Sequence, residues 1–368
     1  MGSDLLIADD SGLACAAGGF HIDPWRPVPV AVVTHAHSDH ARPGSALYYC
    51  EARSLGPLRL RLGAGANIVP VPAGESFSLG RTRVSFHAAG HILGSAQVRV
   101  EGDGAVWVFS GDYKPAEPHR PGEIDPDPTC APFEPVRCDV FITEATFALP
   151  VYRWDRTHEV IAELFAWHEQ NAARGVATIL LAYTLGKSQR LLAHLADFAR
   201  ATGRPVPRFL VHGAIEPMNR VYRESGIALP DTTLVSEFEG VPGARRGRAK
   251  PSDFAGAVVI APPSAAGSPW IRRFGADAPV AAVSGWMRVR GVRRRRGVDR
   301  GFVLSDHADW PGLLSAIEST GARRVLITHG QADVLASVLR ARGIEAAALR
   351  TPYETENLTE PGPEGAPA

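Results

Sequence analysis

The chain has 368 residues, of which 45% are hydrophobic and 21% are charged, and this composition excludes a disordered or collagen-like protein. Lys and Arg (39) balance Asp and Glu (39), so a basic surface for a polyanion has to come from local clustering. No apolar run approaches the ~20 residues that span a bilayer, and the first residues lack the pattern of a signal peptide. We therefore expect a cytoplasmic protein without a membrane partner.

The first part of the chain is rich in predicted strands. Short apolar runs broken by Gly, Pro and Asp lie at residues 30–34, 84–86, 105–109 and 140–143. From about Arg156 the apolar spacing becomes helical, and strand-like runs at 177–182, 208–211, 258–261 and 280–283 alternate with the helices. This alternation is typical of parallel βαβ units, so we predict a separate α/β layer in the middle of the chain.

The end of the chain returns to strands between helices. We predict strands at 302–304 and 325–328, helices at 310–320 and 332–342, and a frayed tail from about 355. The four cysteines are far apart and form no CxxC pair, which predicts buried thiols rather than disulfides or a thiolate zinc site. They are Cys15, Cys50, Cys130 and Cys138.

The strongest chemical signal is an HxHxDH motif directly after the predicted strand at 30–34. From the chain's own His and Asp frequencies, such a match arises by chance in roughly one chain in a thousand. Positions two apart in an extended segment point the same way, so His35 and His37 can converge on one cation, while Asp39 and His40 reach a second. Imidazole and carboxylate ligands favour zinc, and manganese or iron also accepts them.

Two metal ions need more ligands than this motif supplies, and candidates stand just past other predicted strands. His91 follows the run at 84–86, Asp112 follows 105–109, and His329 follows 325–328. Each stands beside a glycine, which lets the backbone approach closely. Taken singly, each is more simply a core or loop residue with ordinary hydrogen bonds, but the shared context favours a joint metal site.

These motifs resemble the metallo-β-lactamase fold, an αββα sandwich with a two-metal site at one edge. Residues 143–147 (TEATF), 305–309 (SDHAD) and 328–330 (THG) resemble motifs A, B and C of the β-CASP nucleases, and 183–189 (YTLGKSQ) resembles a helix start in their inserted domain. Residues 19–27 (GFHIDPWRP) and 41–44 (ARPG) are most similar to bacterial ligase-associated DNA exonucleases. A histidine in motif C, however, is typical of the RNA-cleaving members.

The resemblance implies an α/β fold in which a sandwich is interrupted by an inserted domain. Residues 1–147 and 291–354 would form the two parts of the metallo-β-lactamase αββα sandwich. Residues 148–290 would form the inserted β-CASP α/β domain, and residues 355–368 a flexible C-terminal tail.

The resemblance also implies two divalent metal ions, Zn²⁺ or alternatively Mn²⁺, that share a hydroxide as the nucleophile. The implied ligands are His35, His37 and His91 for one ion, Asp39, His40 and His329 for the other, and Asp112 as the bridge between them. Two such ions can bring the pKa of a shared water close to neutrality and hold the phosphate oxygens. Asp39 is therefore expected both to bind metal and to act in catalysis.

A general acid is implied for the departing sugar oxygen. His307, in the segment that resembles motif B, is the candidate, and Glu144 would orient it and stabilise its charge. From the residues alone, His307 is alternatively a helix-entry residue, with Ser305 or Asp306 as the helix cap. Glu144 is alternatively a carboxylate at the end of a strand.

Basic residues indicate where a nucleic acid would bind. Arginines crowd the predicted end of the inserted domain, and Lys187 begins a predicted helix whose N-terminal dipole suits a phosphate. Those assigned to nucleic-acid binding are Lys187, Arg293, Arg294, Arg295 and Arg296. A basic run at 245–250 and a loop at 262–268 are further candidates. The alternative for each is ordinary surface or, for the loop, a turn.

The sequence as a whole predicts a metal-dependent nuclease, in particular a DNA exonuclease in end processing for DNA repair. Association with a DNA ligase or helicase is implied by the resemblance alone. The alternatives are an RNA-processing β-CASP ribonuclease, a small-molecule metallo-hydrolase such as a thioesterase or lactonase, and a metal-free binding platform. The inserted layer and the arginines at its predicted end argue against a small-molecule hydrolase. The presence of every expected metal ligand argues against a metal-free binding platform. Cleavage polarity, endo or exo action and oligomeric state stay open.

Overall fold

A computed structural model describes residues 4–238, 249–295 and 297–349, without the side chain of Arg293. The chain divides into two compact units. Unit 1 comprises Met1–Ala116, Cys130–Arg153 and Asp306–Ala368, and unit 2 comprises Glu117–Thr129 and Trp154–Ser305, as far as these ranges are described.

The strands and helices of the described residues are numbered in chain order. The strands are β1 (Ile7–Ala8), β2 (Leu13–Cys15), β3 (Phe20–Ile22), β4 (Val30–Val33), β5 (Leu47–Glu51), β6 (Ile68–Val71), β7 (Ser76–Leu79), β8 (Thr82–Ala88), β9 (Ala96–Gly102), β10 (Ala105–Phe109), β11 (Val140–Glu144), β12 (Thr178–Leu181), β13 (Arg208–Val211), β14 (Thr232–Leu234), β15 (Ala257–Ala261), β16 (Val280–Val283), β17 (Arg300–Phe302), β18 (Arg324–Thr328) and β19 (Glu345–Ala348). The α-helices are α1 (Leu55–Leu62), α2 (Thr157–Ala173), α3 (Lys187–Ala201), α4 (Glu216–Glu224), α5 (Val235–Phe238), α6 (Pro269–Arg272), α7 (Arg290–Arg295), α8 (Trp310–Thr320) and α9 (Ala332–Ala341). Short 3-10 helices lie at Ala52–Ser54, Pro251–Phe254, Pro263–Ala265 and Gly285–Arg288.

Unit 1 is built around two sheets that share an apolar core. Their strand orders are β1-β2-β3-β4-β5-β6 and β19-β18-β11-β10-β9-β8-β7. In β8, Arg83 is exposed while its neighbours Thr82 and Val84 are buried, because successive strand residues point to opposite faces. Phe86 lies in one core cluster with Ile22 and Val32 of the other sheet, so the two sheets pack face to face.

Helices α8 and α9 cover the opposite face of the second sheet. Leu313 and Leu335 of these helices share a core cluster with Phe141 of β11. Helix α8 begins after Asp309, whose Oδ1 accepts the backbone N–H of Gly312 at 2.9 Å. The N-cap is therefore Asp309 rather than Ser305 or Asp306, the caps considered from the sequence.

Unit 2 contains a parallel sheet in the order β14-β13-β15-β12-β16-β17. Every residue of the central strands β12 and β15 is buried, as expected for a parallel sheet covered on both faces. Leu164 of α2 and Leu191 of α3 lie in one core cluster with Leu180 and Ile260 of the sheet. These two helices therefore cover one face.

The segment Glu117–Thr129 between β10 and β11 belongs to unit 2. Glu117 Oε2 accepts hydrogen bonds from the N–H and the hydroxyl of Thr157, the first residue of α2, at 3.1 and 2.7 Å. Ile124 joins the core beside α2 and α3. Asp127 Oδ1 lies 3.3 Å from NH1 of Arg190 on α3. The segment is thus anchored by a cap, an apolar contact and an ion pair.

The structure confirms the mixed α/β fold that was predicted, with two sheets in one unit and a parallel α/β layer in the other. Strand β17, beyond residue 290, pairs with β16 in the sheet of unit 2. The named domains at 1–147, 148–290 and 291–354 remain predictions, and the predicted tail at 355–368 lies outside the described residues. Among the described helices, none has the length and apolar composition needed to cross a membrane.

Candidate metal centre

Three histidine nitrogens converge beyond the end of β4. His35 Nε2 lies 3.1 Å from His37 Nδ1, and His91 Nε2 lies 3.1 Å from the same atom. Ligands ~2.0–2.1 Å from a tetrahedral zinc ion stand ~3.3 Å apart, so these nitrogens have the spacing of a ligand set. The pairing of His35 with His37 was expected from the spacing of the motif, and His91 comes from a loop more than fifty residues away.

Asp112 lies between this histidine group and His40. Its Oδ2 is 3.6 Å from His35 Nε2 and 3.8 Å from His91 Nε2, whereas its Oδ1 is 3.5 Å from His40 Nε2. One ligand atom from each of His35, His37, His91 and Asp112 lies within 4.8 Å of the other three. Each oxygen of the carboxylate therefore faces a different histidine group, which is the arrangement of a ligand that two cations can share.

The other predicted ligands surround His40 at wider spacing. His40 Nε2 is 3.6 Å from Asp39 Oδ2, and the rings of His40 and His329 have centroids 6.1 Å apart. The Asp39 side chain is 67% exposed and His329 is also exposed, whereas His40 is buried. This part of the cluster is thus open to solvent, while the part formed by His35 and His91 is enclosed.

A second layer of hydrogen bonds sets the orientation of these rings. The Oδ2 atom of Asp23 accepts from His40 Nδ1 at 2.7 Å and from the hydroxyl of Thr34 at 2.6 Å. That hydroxyl lies 3.0 Å from Nδ1 of His35, so it accepts from His35 while donating to Asp23. Because Nδ1 of both rings is occupied, Nε2 is left facing Asp112.

The loops that carry the later ligands depend on close backbone contacts. The carbonyl oxygen of Asp306 accepts from His91 Nδ1 at 2.8 Å, which leaves Nε2 of His91 facing the cluster. Gly90, Gly111 and Gly330 all have positive φ, and a Cβ atom on them would lie 2.2, 2.8 and 2.2 Å from neighbouring atoms. The glycines beside the three later ligands therefore permit the close approach that the sequence indicated.

Buried Glu144 and half-buried His307 form a pair next to Asp112. Glu144 is the last residue of β11, and its carboxylate accepts from His307 Nδ1 at 2.9–3.0 Å and from the N–H of Tyr113 at 2.9 Å. The hydroxyl of Thr146 also donates to it. On the other side of the ring, His307 Nε2 lies 3.9 Å from Asp112 Oδ2. Glu144 thus holds the imidazole by one nitrogen and leaves the other facing the cluster.

The electrostatics of the cluster follow from burial and from its mixture of charges. Burial and the neighbouring His40 hold the pKa of His35 well below its usual range, and burial and His307 do the same for the pKa of His91. Burial opposes the charged form of His40, but Asp112, Asp39 and Asp23 outweigh it and raise the pKa of His40 well above its usual range.

The same balance applies to the acidic side. Burial opposes ionisation of Asp112, yet His40 and His307 hold the pKa of Asp112 well below its usual range. Burial also opposes protonation of His307, but Glu144 and Asp112 raise its pKa to about 9. The imidazoles of His35 and His91, kept neutral, beside the ionised carboxylate of Asp112 form a donor set that divalent zinc binds, so these residues fit the metal site implied by the sequence.

The residues predicted to bind nucleic acid are found in unit 2. Lys187 is 3% exposed, and its Nζ donates to the carbonyl oxygen of Leu304 at 2.9 Å. Arg294 and Arg295 are exposed on α7. The side chain of Arg293 and all of Arg296 lie outside the described residues, so their contacts stay predictions.

Sequence reasoning assigned no role to three groups that orient the ligands. Asp23 lies in the segment 19–27 that resembles the exonucleases, and Thr34 directly precedes the HxHxDH motif. The positions of both residues in the sequence could therefore have indicated a role near the site. The carbonyl oxygen of Asp306 gave no such indication, because every residue has a carbonyl oxygen. Only the fold shows which one reaches His91.

Three relatives were compared with the chain. A protein named Probable DNA ligase from Opitutus terrae is 32% identical over 340 residues, 92% of this chain and 30% of that protein. Ribonuclease TTHA0252 from Thermus thermophilus is 26% identical over 204 residues, 47% of this chain and 44% of that protein. Integrator complex subunit 11 from Danio rerio is 24% identical over 140 residues, 38% of this chain and 22% of that protein. The chain thus spans less than half the length of each relative.

Family models and solved structures were compared as well. No family model matches the chain. The crystal structure of a protein of unknown function from Enterococcus faecalis V583 superposes with a TM-score of 0.51 at 10% identity, covering 81% of this chain and 74% of that one, which is a likeness of fold alone. The sheets, the site and the relatives together show the metallo-β-lactamase/β-CASP fold and support membership of that nuclease family.

Proposed function

We propose that this chain is a metal-dependent nuclease that hydrolyses phosphodiester bonds, and specifically a DNA exonuclease that processes ends during repair. The observation that carries the proposal is the position of Asp112. Its two oxygens face separate histidine groups, and the His307–Glu144 pair stands beside it. Hydrolysis of a phosphodiester needs cations that offset the charge of the phosphate and activate water, and a proton donor for the leaving oxygen, and this cluster offers residues for each.

The residues that would hold two cations divide into two groups. His35, His37 and His91 would bind one ion, Asp39, His40 and His329 would bind the other, and Asp112 would be shared. When bound, zinc or manganese ions would offset the negative charge of the phosphate and lower the pKa of water. Asp23, Thr34 and the carbonyl oxygen of Asp306 keep the liganding nitrogens turned inward.

His307 would deliver the proton that the departing sugar oxygen requires. Its Nδ1 donates to Glu144, so Nε2, which faces Asp112 at 3.9 Å, is the atom that would transfer the proton. Glu144 is held by Tyr113 and Thr146, and it would therefore position His307 and stabilise its protonated form. This role uses the chain's own residues and needs no further group.

Support for a nucleic-acid substrate comes from the relatives and from unit 2. One relative is named a ribonuclease and another, matched over most of this chain, is named a DNA ligase. The exposed Arg294 and Arg295 would contact phosphates without reading sequence. We favour DNA, with a DNA ligase or helicase as the functional partner, because the relative named a DNA ligase matches 92% of this chain.

RNA cleavage is the second candidate function. The name of the ribonuclease relative favours it, as does the histidine at position 329 in the segment that resembles motif C. The chemistry at the phosphate would be the same. The two candidates differ in the sugar that the substrate carries.

The deciding experiment offers end-labelled single- and double-stranded DNA and RNA to purified protein. The wild type and the Asp112→Ala variant, which serves as the control, are each assayed with zinc, with manganese and with a chelator. We expect metal-dependent shortening of DNA from one end. Shortening of RNA alone would favour the second candidate, and hydrolysis that persists in the chelator and in Asp112→Ala would overturn the metal-dependent mechanism.

A further inference from the structure

Unit 2 carries a groove that none of the proposed catalytic residues lines. It has a volume of ≈ 530 Å³ and lies between the segment before β15 and helix α6. The lining residues are Ala249, Pro251, Pro269, Arg272 and Arg273. The loop at 262–268, left open by the sequence as a phosphate contact or a turn, leads directly into α6.

The charge of the groove is positive. Arg272 is exposed and Arg273 is half-buried, and none of the described residues that line the groove is acidic. One N–H of Arg272 donates to the carbonyl oxygen of Gly267 at 3.3 Å, which ties the side chain to the loop, and a guanidinium has further N–H groups for a phosphate. The groove therefore suits an anion that two adjacent guanidinium groups can hold.

An aromatic side chain stands beside these arginines. The guanidinium of Arg273 lies 5.4 Å from the ring centroid of Trp270, and Trp270 makes edge contacts with His212 at 4.8 Å and Phe274 at 5.1 Å. Phe274 is buried in the core, so these contacts fix the indole while it stays partly exposed. A fixed, partly exposed indole is a surface on which a nucleobase can stack.

His212 adds a hydrogen-bond donor next to this indole. The N–H of Ala214 donates to His212 Nδ1 at 3.1 Å, so Nε2 carries the ring hydrogen. Burial and the nearby Arg273 lower the pKa of His212, which keeps the ring neutral. A neutral donor, two cations and an aromatic ring together match the phosphate, sugar and base of a nucleotide unit.

We propose that this groove is a binding site for a single nucleic-acid strand within unit 2. Arg272 and Arg273 hold phosphates of the strand, and Trp270 stacks on one of its bases. The proposal rests on the proposed function for its class of ligand, but it uses none of the residues assigned to catalysis. Double-stranded nucleic acid, whose bases are already stacked, binds there more weakly.

The test measures binding of a fluorescently labelled single-stranded oligodeoxynucleotide by anisotropy, in a chelator and at several salt concentrations. The variant Arg272→Ala/Arg273→Ala is compared with Arg174→Ala/Arg220→Ala, which removes two exposed arginines elsewhere in unit 2. We expect the first variant to bind about tenfold more weakly at low salt. Its slope of log affinity against log salt should fall by about 1.4, since each phosphate contact to a single strand contributes ~0.7.

Trp270 gives an independent readout. Trp270→Ala should weaken single-strand binding about tenfold without changing the salt slope, and Trp270→Phe should retain most of the affinity because it keeps a stacking ring. Thermal unfolding of each variant checks that it is folded. If Trp270→Phe loses as much affinity as Trp270→Ala, stacking on this residue is ruled out.

The outcomes separate this inference from the proposed function. If the wild type shortens DNA but both double-arginine variants bind equally well or equally badly, the groove is not the binding site and the nuclease proposal stands. If the groove variants lose affinity selectively while the wild type hydrolyses no nucleic acid, the groove is confirmed as a binding site and the nuclease proposal fails.

Discussion

Asp23 accepts a hydrogen bond from Nδ1 of His40 at 2.7 Å, although the two residues are 17 positions apart in the chain. Both side chains are buried. The same carboxylate oxygen accepts the hydroxyl of Thr34, which in turn bonds to His35. One carboxylate thus orients a histidine ligand of each proposed metal ion. Its removal should therefore weaken the binding of both ions.

Replacing Asp23 should therefore weaken the whole centre. Asp23→Ala is expected to lower metal affinity and turnover by about 10- to 100-fold, the usual cost of losing a partner behind a liganding histidine. Metal affinity is measured as the metal content that remains after dialysis against increasing concentrations of chelator. Turnover is measured as the rate of DNA hydrolysis. The matched control is Asp9→Ala, which breaks the exposed pair between Asp9 and His21 at 2.9 Å. Equal behaviour of the two variants would contradict the orienting role.

The ligands themselves should be needed for chemistry rather than for binding the strand. His37→Ala and Asp112→Ala are each expected to reduce hydrolysis by more than about 100-fold, since a lost ligand costs more than a lost outer partner. Oligonucleotide affinity should stay close to that of the wild type, because arginines of unit 2 supply it. Replacement of the exposed His119 by Ala is the control. Full metal content with full activity in either ligand variant would remove the two-metal proposal.

The acid role of His307 predicts a dependence on the leaving group. His307→Ala should slow DNA hydrolysis by about 10²- to 10⁴-fold while the bound metal is unchanged. A nucleotide p-nitrophenyl ester should show a much smaller defect, because p-nitrophenolate departs without a proton. Glu144→Gln should show the same pattern to a smaller degree. A variant that loses metal would make His307 a ligand, and an equal defect on both substrates would exclude the acid role.

The local pattern predicted much of the fold. The helix predicted at 310–320 is Trp310–Thr320, and the strand predicted at 258–261 is Ala257–Ala261, because apolar periodicity is a property of neighbouring residues. The positions of His91, Asp112 and His329 just past strand ends followed from the same local reading. Their shared context favoured a joint metal site with the HxHxDH motif, but the division of the ligands between two ions came from the resemblance, since periodicity does not say which strands are neighbours.

Contacts between distant residues account for what the sequence did not predict. Lys187 does begin a helix, but its amine is buried and bonds to the carbonyl oxygen of Leu304, 117 residues further on. The segment Glu117–Thr129 joins unit 2 through Thr157 and Arg190, and nothing in its composition indicates these partners. Such pairings depend on how the sheets assemble.

The ion pair that anchors this segment should matter for stability. Arg190 is 1% exposed and the side chain of Asp127 is 8% exposed, with 3.3 Å between NH1 and Oδ1. Asp127→Ala leaves a buried cation without its carboxylate, so we expect a loss of about 3 to 5 kcal/mol in the free energy of unfolding. Asp197→Ala, which breaks an exposed pair with Arg200, should cost about 0.5 kcal/mol or less. Urea unfolding followed by circular dichroism measures both, and similar small losses would contradict the anchoring role.

His168 should make the stability of unit 2 depend on pH. The ring is buried on α2, with Nδ1 3.1 Å from the hydroxyl of Thr178, and burial lowers its pKa from 6.5 to about 4. Between these values the unfolded chain binds a proton that the folded chain does not. The stabilising contribution is therefore complete above pH 6.5 and decreases as the pH falls towards 4, by about 2 kcal/mol at pH 5.

A glutamine at this position removes the titration and keeps a polar side chain for Thr178. The unfolding free energies of wild type and His168→Gln, measured in urea at pH 7.5 and at pH 5, should therefore converge by about 2 kcal/mol at the lower pH. His119→Gln, at an exposed position, controls for the general effect of removing a histidine, and its difference from the wild type should stay constant. The difference in unfolding free energy between wild type and His168→Gln could also prove constant with pH. In that case the folded protein binds the proton as readily as the unfolded chain, and burial does not lower the pKa of His168.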